Sequence, residues 1–184
     1  MNRNLLELQL TELPVAQYVF FETEELEFSQ RIRMVCEMEC PRYGKTWACP
    51  PAVGTVEECR ERCLTYPQGL LISTLSEVND VANMEEALAT RPGHEKITRQ
   101  VAKLLEDQGL EVYGLSSESC GVCENCTYPH DQCRHKDKMM PCVESHGIIV
   151  TALAEKYGVE YAFGSQIVTW FSLLLFRDGN EVMK

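Results

Sequence analysis

The stretch QIVTWFSLLLF (166–176) decides the fold. It is apolar and aromatic, with turn residues Gly164-Ser165 before it. Its apolar core, Trp170 to Phe176, is far too short for the roughly 20 residues that a membrane-spanning helix needs. It is therefore read as a buried β-strand. Val159 to Phe163 reads as a partner strand, and Gly164-Ser165 suits a tight hairpin turn with Gly in the first central position.

Working back along the chain, Ile148, Ile149, Ala152, Leu153 and Tyr157 fall on one helical face, and Gly158 ends that helix. Leu110 to Leu115 reads as a strand. Asn79 to Gly109 reads as helical with a break at Pro92-Gly93, its apolar stripe being Ile97, Val101, Leu104 and Leu105. Gly69 to Leu75 reads as a buried strand. Thr55 and Glu58 have capping-box spacing, starting a helix that carries Val56, Cys59, Cys63 and Tyr66 on one face. Val15 to Phe21 is a further strand. These elements predict a single α+β domain over residues 1–184: a mixed sheet packed with helices, with two cysteine-rich loops at its edge. The first strand–helix–strand unit is expected to pair in parallel through a right-handed crossover.

The chain has 184 residues, 45% of them hydrophobic, enough for one core. A net charge of -11 argues against nucleic acid or an anionic membrane as partner. The first residues, MNRNLLEL, lack the apolar core of a signal peptide, so a reducing, cytoplasmic location is expected. Ten cysteines in such a compartment point to metal or redox chemistry rather than disulfides.

The strongest pattern is Cys120-x2-Cys123-x2-Cys126-x6-Cys133 in the loop 119–142. Closely spaced thiolates wrap one compact cluster, which favours iron–sulfur, most simply 4Fe–4S, over structural zinc. Gly121 is read as relieving crowding around cluster sulfurs. The basic residues Arg134, His135, Lys136 and Lys138 would raise a cluster's potential, and His130 or His135 is an alternative ligand. The second pattern, Cys36-x3-Cys40-Pro41 then Cys49-Pro50-Pro51, supplies three thiols in a proline-stiffened loop, 36–51. Gly44-Lys45-Thr46 is not a phosphate loop, because Glu39 stands where that motif needs Gly. Cys59 and Cys63 read as core residues. Cys142 reads as a small residue at a helix start, with a ligand role as the alternative.

The strings CPRYGKTWACPP (40–51), SCGVCENCTYP (119–129), CR (133–134) and HGIIV (146–150) resemble the family of predicted metal-binding proteins known as domain of unknown function 2284. The resemblance runs from about Arg33 to Phe176. It implies metal binding through Cys36, Cys40, Cys49, Cys120, Cys123, Cys126 and Cys133, and it implies no established reaction. The family pattern carries Ser at the position of Cys142, and Cys59 and Cys63 lie outside it. Two functions compete at this point. One is an iron–sulfur electron carrier or oxidoreductase that docks a redox partner through its acidic surface. The other is a structural zinc module that works through a protein interface. Nothing in the sequence fixes an oligomeric state.

Overall fold

The computed structural model describes residues 1–118 and 120–179. Along the chain come α1 (Arg3–Thr11), β1 (Gln17–Glu22), α2 (Gln30–Glu39), α3 (Val56–Leu64), β2 (Gln68–Glu77), α4 (Met84–Glu106), β3 (Leu110–Leu115), α5 (Val150–Lys156) and β4 (Ile167–Asp178). Short 3-10 turns follow β1 and precede α5. Together they form one α+β domain around a four-stranded sheet of order β1-β2-β4-β3.

β4 sits between β2 and β3, with Leu173 opposite Leu71 on one side and Leu115 on the other. Side chains alternate between faces along a strand. Phe171, Leu173 and Leu175 join Leu71, Leu115, Cys63, Val143, Ile148 and Leu153 in one core. Leu174 and Phe176 join Leu70, Ile72, Leu6, Leu10, Val101 and Leu105 in the other. A strand buried on both faces must be apolar throughout, which explains the unbroken Leu173–Phe176 run.

The α+β class and the strand at 166–176 stand as read, but the pairing differs. All three strand pairs are antiparallel. β2 and β3 share a direction, joined through α4, yet β4 is inserted between them. The expected parallel unit, β1 through α3 to β2, is instead an antiparallel pair, because the long 23–67 excursion brings the chain back beside β1 in the opposite direction. Residues 159–163 do not form a strand. Side chains satisfy their backbone instead: Gln17 bonds both the N–H and the C=O of Glu160, and Thr169 donates to the carbonyl of Tyr161.

Pro92 does not break α4. His94, Thr98, Val101 and Leu105 fix the helix on the sheet, and the Pro92-Gly93 step faces open space. Tyr157 lies outside the core, with its hydroxyl on Glu25. The capping box of α3 is as expected, Thr55 and Glu58 bonding each other's backbone N–H.

The segment 141–149 ties the sheet to α2. Ser116 bridges Cys142 in parallel, and Phe28 bridges Ile148 in antiparallel. Gly147 makes this possible. Its φ is +72°, and a Cβ there would lie 2.9 Å from the carbonyl oxygen of Ser29. Gly147→Ala should lose about 2 kcal/mol or more of stability, since the left-handed backbone alone costs about 1–2 kcal/mol; a urea titration would show it.

A polar chain lies under α4: Thr74 Oγ1 to His94 Nδ1 (2.8 Å), His94 Nε2 to Ser172 Oγ (2.7 Å), and Ser172 to Thr98 (2.8 Å). Burial pushes the His94 pKa from 6.5 down to about 4. The unfolded chain therefore binds this proton first as pH falls, and stability drops between those two values. From pH 7 to pH 5 the loss from His94 should be about 2 kcal/mol. His94→Asn should be less stable at pH 7 but show a flatter denaturation midpoint across that range.

Candidate metal centres

The N-terminal centre begins with α2. Ser29 caps it, its Oγ accepting from the Arg31 N–H at 3.2 Å. Residues three and four apart share a helical face, so Arg33, Cys36 and Cys40 point the same way. The buried Arg33 donates to the carbonyl of Gly54 at 2.6 Å and lies 3.8 Å from Cys59 Sγ, joining α2 to the start of α3. The loop after Cys40 folds back through a Gly44 N–H to Pro50 C=O bond of 2.8 Å, which returns Cys49 to α2.

Cys142 arrives from the other end of the chain. Ser116 donates its N–H to Pro141 and accepts from Val143, both at 2.9 Å, holding the residue between them beside the end of β3. Cys36, Cys40, Cys49 and Cys142 all line one cavity of about 260 Å³, together with Glu118 and Glu144. The expectation of a cap-like Cys142 is met as well, because its Sγ accepts from the Ser145 N–H at 3.3 Å. Cap and cavity wall are the same sulfur. Glu118 stands at φ +61°, a conformation that non-glycine residues adopt at local cost.

Cys120, Cys123, Cys126 and Cys133 line a second, tighter cavity of about 30 Å³. This loop is held from several sides. Trp47 donates its indole N–H to the Asp131 carbonyl at 3.0 Å and meets the Tyr128 ring edge-on at 5.0 Å. Arg99 of α4 donates to the Lys138 carbonyl at 2.9 Å. Gly121 lies against the Arg91–Glu95 pair of α4, where a Cβ would be 2.5 Å from the guanidinium. Its small size thus serves packing against α4, a reason different from the one expected. His135 lines the second cavity and His130 does not. Among the described residues, no three His, Cys, Asp or Glu side chains already close on a single-ion position.

The two cavities share a wall. Ala48 faces the second and Cys49 the first, and neighbouring Cα atoms are only about 3.8 Å apart. Glu118 and Cys120 divide the same way, as do Met139 and Cys142. Their linings differ in charge. The first cavity holds two carboxyl groups. Burial pushes the Cys36 thiol up to about 11, with Cys40, Glu144 and Cys49 adding to the rise. A hydrogen bond to Cys49, then burial and Glu144, raise Cys142 well above an ordinary thiol. Burial also raises the Glu144 carboxyl. Thiols that oppose one another's ionisation become thiolates when a cation takes their charge. Among the described residues no carboxylate lines the second cavity; its loop carries Arg134, Lys136 and Lys138 alongside Glu124, Asp131 and Asp137.

Cys59 and Cys63 are fully buried within α3, away from both cavities, as the helical spacing indicated. Sequence reasoning underweighted Cys142 and did not single out Glu118, Glu144 or Trp47. It also read 36–40 as loop. The signal for α2 was Ser29 followed by Arg33, Cys36 and Cys40 at helical intervals.

The family described as predicted metal-binding protein (DUF2284) matches residues 19–176, an interval that contains all eight cavity-lining cysteines. The chain belongs to the DUF2284 family. No curated protein and no solved structure matches it. No helix among the described residues is long and apolar enough to cross a membrane. The DUF2284 description names metal binding without naming the metal.

Thiol reactivity tests this geometry. In reduced, metal-free protein, iodoacetamide should first label the half-buried Cys40, Cys120, Cys123, Cys126 and Cys133. Cys59 and Cys63 should resist until denaturant is added. Peptide mass spectrometry reads the order, and early labelling of Cys63 would mean that α3 is not packed as described.

Proposed function

We propose that this DUF2284 protein is a two-centre iron–sulfur protein that passes electrons between adjacent clusters. The carrying observation is the shared wall: eight cysteines in two sets of four, separated by residues 48 and 49. Cys36, Cys40, Cys49 and Cys142 would hold one 4Fe–4S cluster, and Cys120, Cys123, Cys126 and Cys133 the other. All-thiolate sets of four are the usual ligation of such clusters. When bound, each cluster supplies one-electron chemistry, and the chain supplies the difference between them.

Carboxylates beside a cluster stabilise its oxidised form, and cations beside it stabilise its reduced form. Glu118 and Glu144 therefore make the N-terminal centre the donor, and the Arg134–Lys138 segment makes the C-terminal centre the acceptor. Exposed Met34, Val35 and Met38 on α2 lie next to the donor side, where a redox partner would dock. The protein would work in the cytoplasm, without nucleic acid or membrane partners.

The tight second cavity favours a second reading for that loop alone, a single structural zinc ion. Metal and acid-labile sulfide content of anaerobically purified, reconstituted protein separates the readings. About eight iron and eight sulfide per chain support two clusters. About four of each with one zinc assigns the second loop to zinc, and zinc without sulfide overturns the iron–sulfur reading. Cys123→Ser should remove roughly half the iron of a two-cluster protein. Cys142→Ser should release iron from the first centre faster to a chelator, and Cys59→Ser should change neither amount nor rate.

A further inference from the structure

We propose that the cleft between the two cysteine loops binds a small aromatic carboxylate. The cleft has a volume of about 340 Å³, at the lower end of the range for ligand cavities. Trp47, Val53, Met139 and Pro141 give it an apolar lining, and Arg62, Lys136 and Tyr113 supply its polar edge. In a chain of net charge -11, no carboxylate is among the lining residues. Two cations in an apolar, acid-free recess attract an anion that carries an apolar body.

Both cations keep donors to spare. The Arg62 guanidinium spends two contacts of 3.3 Å on the single carbonyl of Val53 and also bonds the Tyr113 hydroxyl oxygen, and Lys136 Nζ is 3.4 Å from the Gln132 amide oxygen. Their partners are neutral oxygens, so a carboxylate displaces no ion pair. A guanidinium fork matches a carboxylate's two oxygens. Tyr113 contributes its ring rather than a donor. The ring stacks on Tyr66 at 5.6 Å, and its hydroxyl donates to Nε2 of the fully buried His146 at 2.7 Å, since Ser145 Oγ, which donates to the Cys142 carbonyl, takes the Nδ1–H. Trp47 is fixed by its bond to Asp131 and its edge contact with Tyr128. It offers a rigid flat surface, which suits an unsaturated ring or chain better than an aliphatic one.

Cys133 lines both this cleft and the second cysteine cavity, so a bound acid lies against the C-terminal centre. The proposal rests on the two-centre reading only for what the acid meets there. Binding itself depends on side chains of this chain alone.

The test is calorimetric titration, with Trp fluorescence as a second readout, of full-length metal-loaded protein with cinnamate, cinnamamide and inorganic phosphate. Metal content is measured on the same sample. Cinnamate should bind saturably, at least about tenfold more tightly than the neutral amide, as loss of a charge-assisted contact implies. Phosphate, which lacks the flat body, should compete weakly. Arg62→Gln and Lys136→Gln should each weaken cinnamate by about tenfold. Lys136 is exposed and its ammonium bonds the exposed Gln132, so its variant remains informative if Arg62→Gln loosens the loop at Val53. Equal binding of cinnamate and cinnamamide, full competition by phosphate, unchanged affinity in Lys136→Gln, or no saturable binding to iron-loaded protein would each overturn the cleft. Normal cinnamate binding by protein that takes up no iron would overturn the two-centre reading and leave the cleft standing.

Discussion

The insertion of β4 between β2 and β3 is the constraint on which everything else depends. β4 is the final strand in sequence but lies inside the sheet, buried on both faces. The chain leaving β3 therefore cannot turn straight back. It must travel through residues 116–166 and return through the middle. α1 and α4 already cover one face, so α3, α5 and the 141–149 segment cover the other. The second cysteine loop is left at the end of the sheet, held by Arg91, Glu95 and Arg99 from α4 and by Trp47 from the first loop. The same route carries Cys142 past Ser116 and delivers it to α2.

Crowding of thiols is the second organising force. Taking sulfur out of water disfavours its ionised form, and a neighbouring thiolate disfavours it further. Cys36 and Cys142 suffer both, and Glu118 and Glu144 add negative charge to the same space. No fold gains stability from that arrangement by itself. Such an arrangement suits a receptacle for positive charge, in keeping with a family described as predicted metal-binding. Across the shared wall the second set of sulfurs has no carboxylate among its described lining residues and is held by contacts from Trp47 and α4.

Much of this could be read from the chain, and the failures have physical causes. β3 was bounded at Leu110 and Leu115 because its ends are marked by Gly109 and Ser116-Ser117. The capping box of α3 and the internal position of Cys59 and Cys63 follow from local spacing, and the second cysteine set follows from its pattern. α2 was missed because its inward stripe is Arg33 and Cys36, whereas Met34, Val35 and Met38 face outward. Its polarity is inverted relative to an ordinary amphipathic helix. The expected hairpin failed because residues 159–163 bond to Gln17 and Thr169, partners invisible to local alternation. Cys142 looked incidental because its three companions lie about a hundred residues earlier. The Ser116–Cys142 and Phe28–Ile148 bridges bring them together.

The shared wall has a further consequence, for assembly. Residues 46–49 must be ordered before either set of sulfurs is complete, since Trp47 clamps one loop while Cys49 belongs to the other. Ordering a segment costs conformational entropy once, and whichever centre fills first bears that cost for both. On the two-centre reading, filling one centre then favours filling the other without any contact between the occupants. On that reading, damage at one centre would loosen the grip of the other while leaving it able to hold metal.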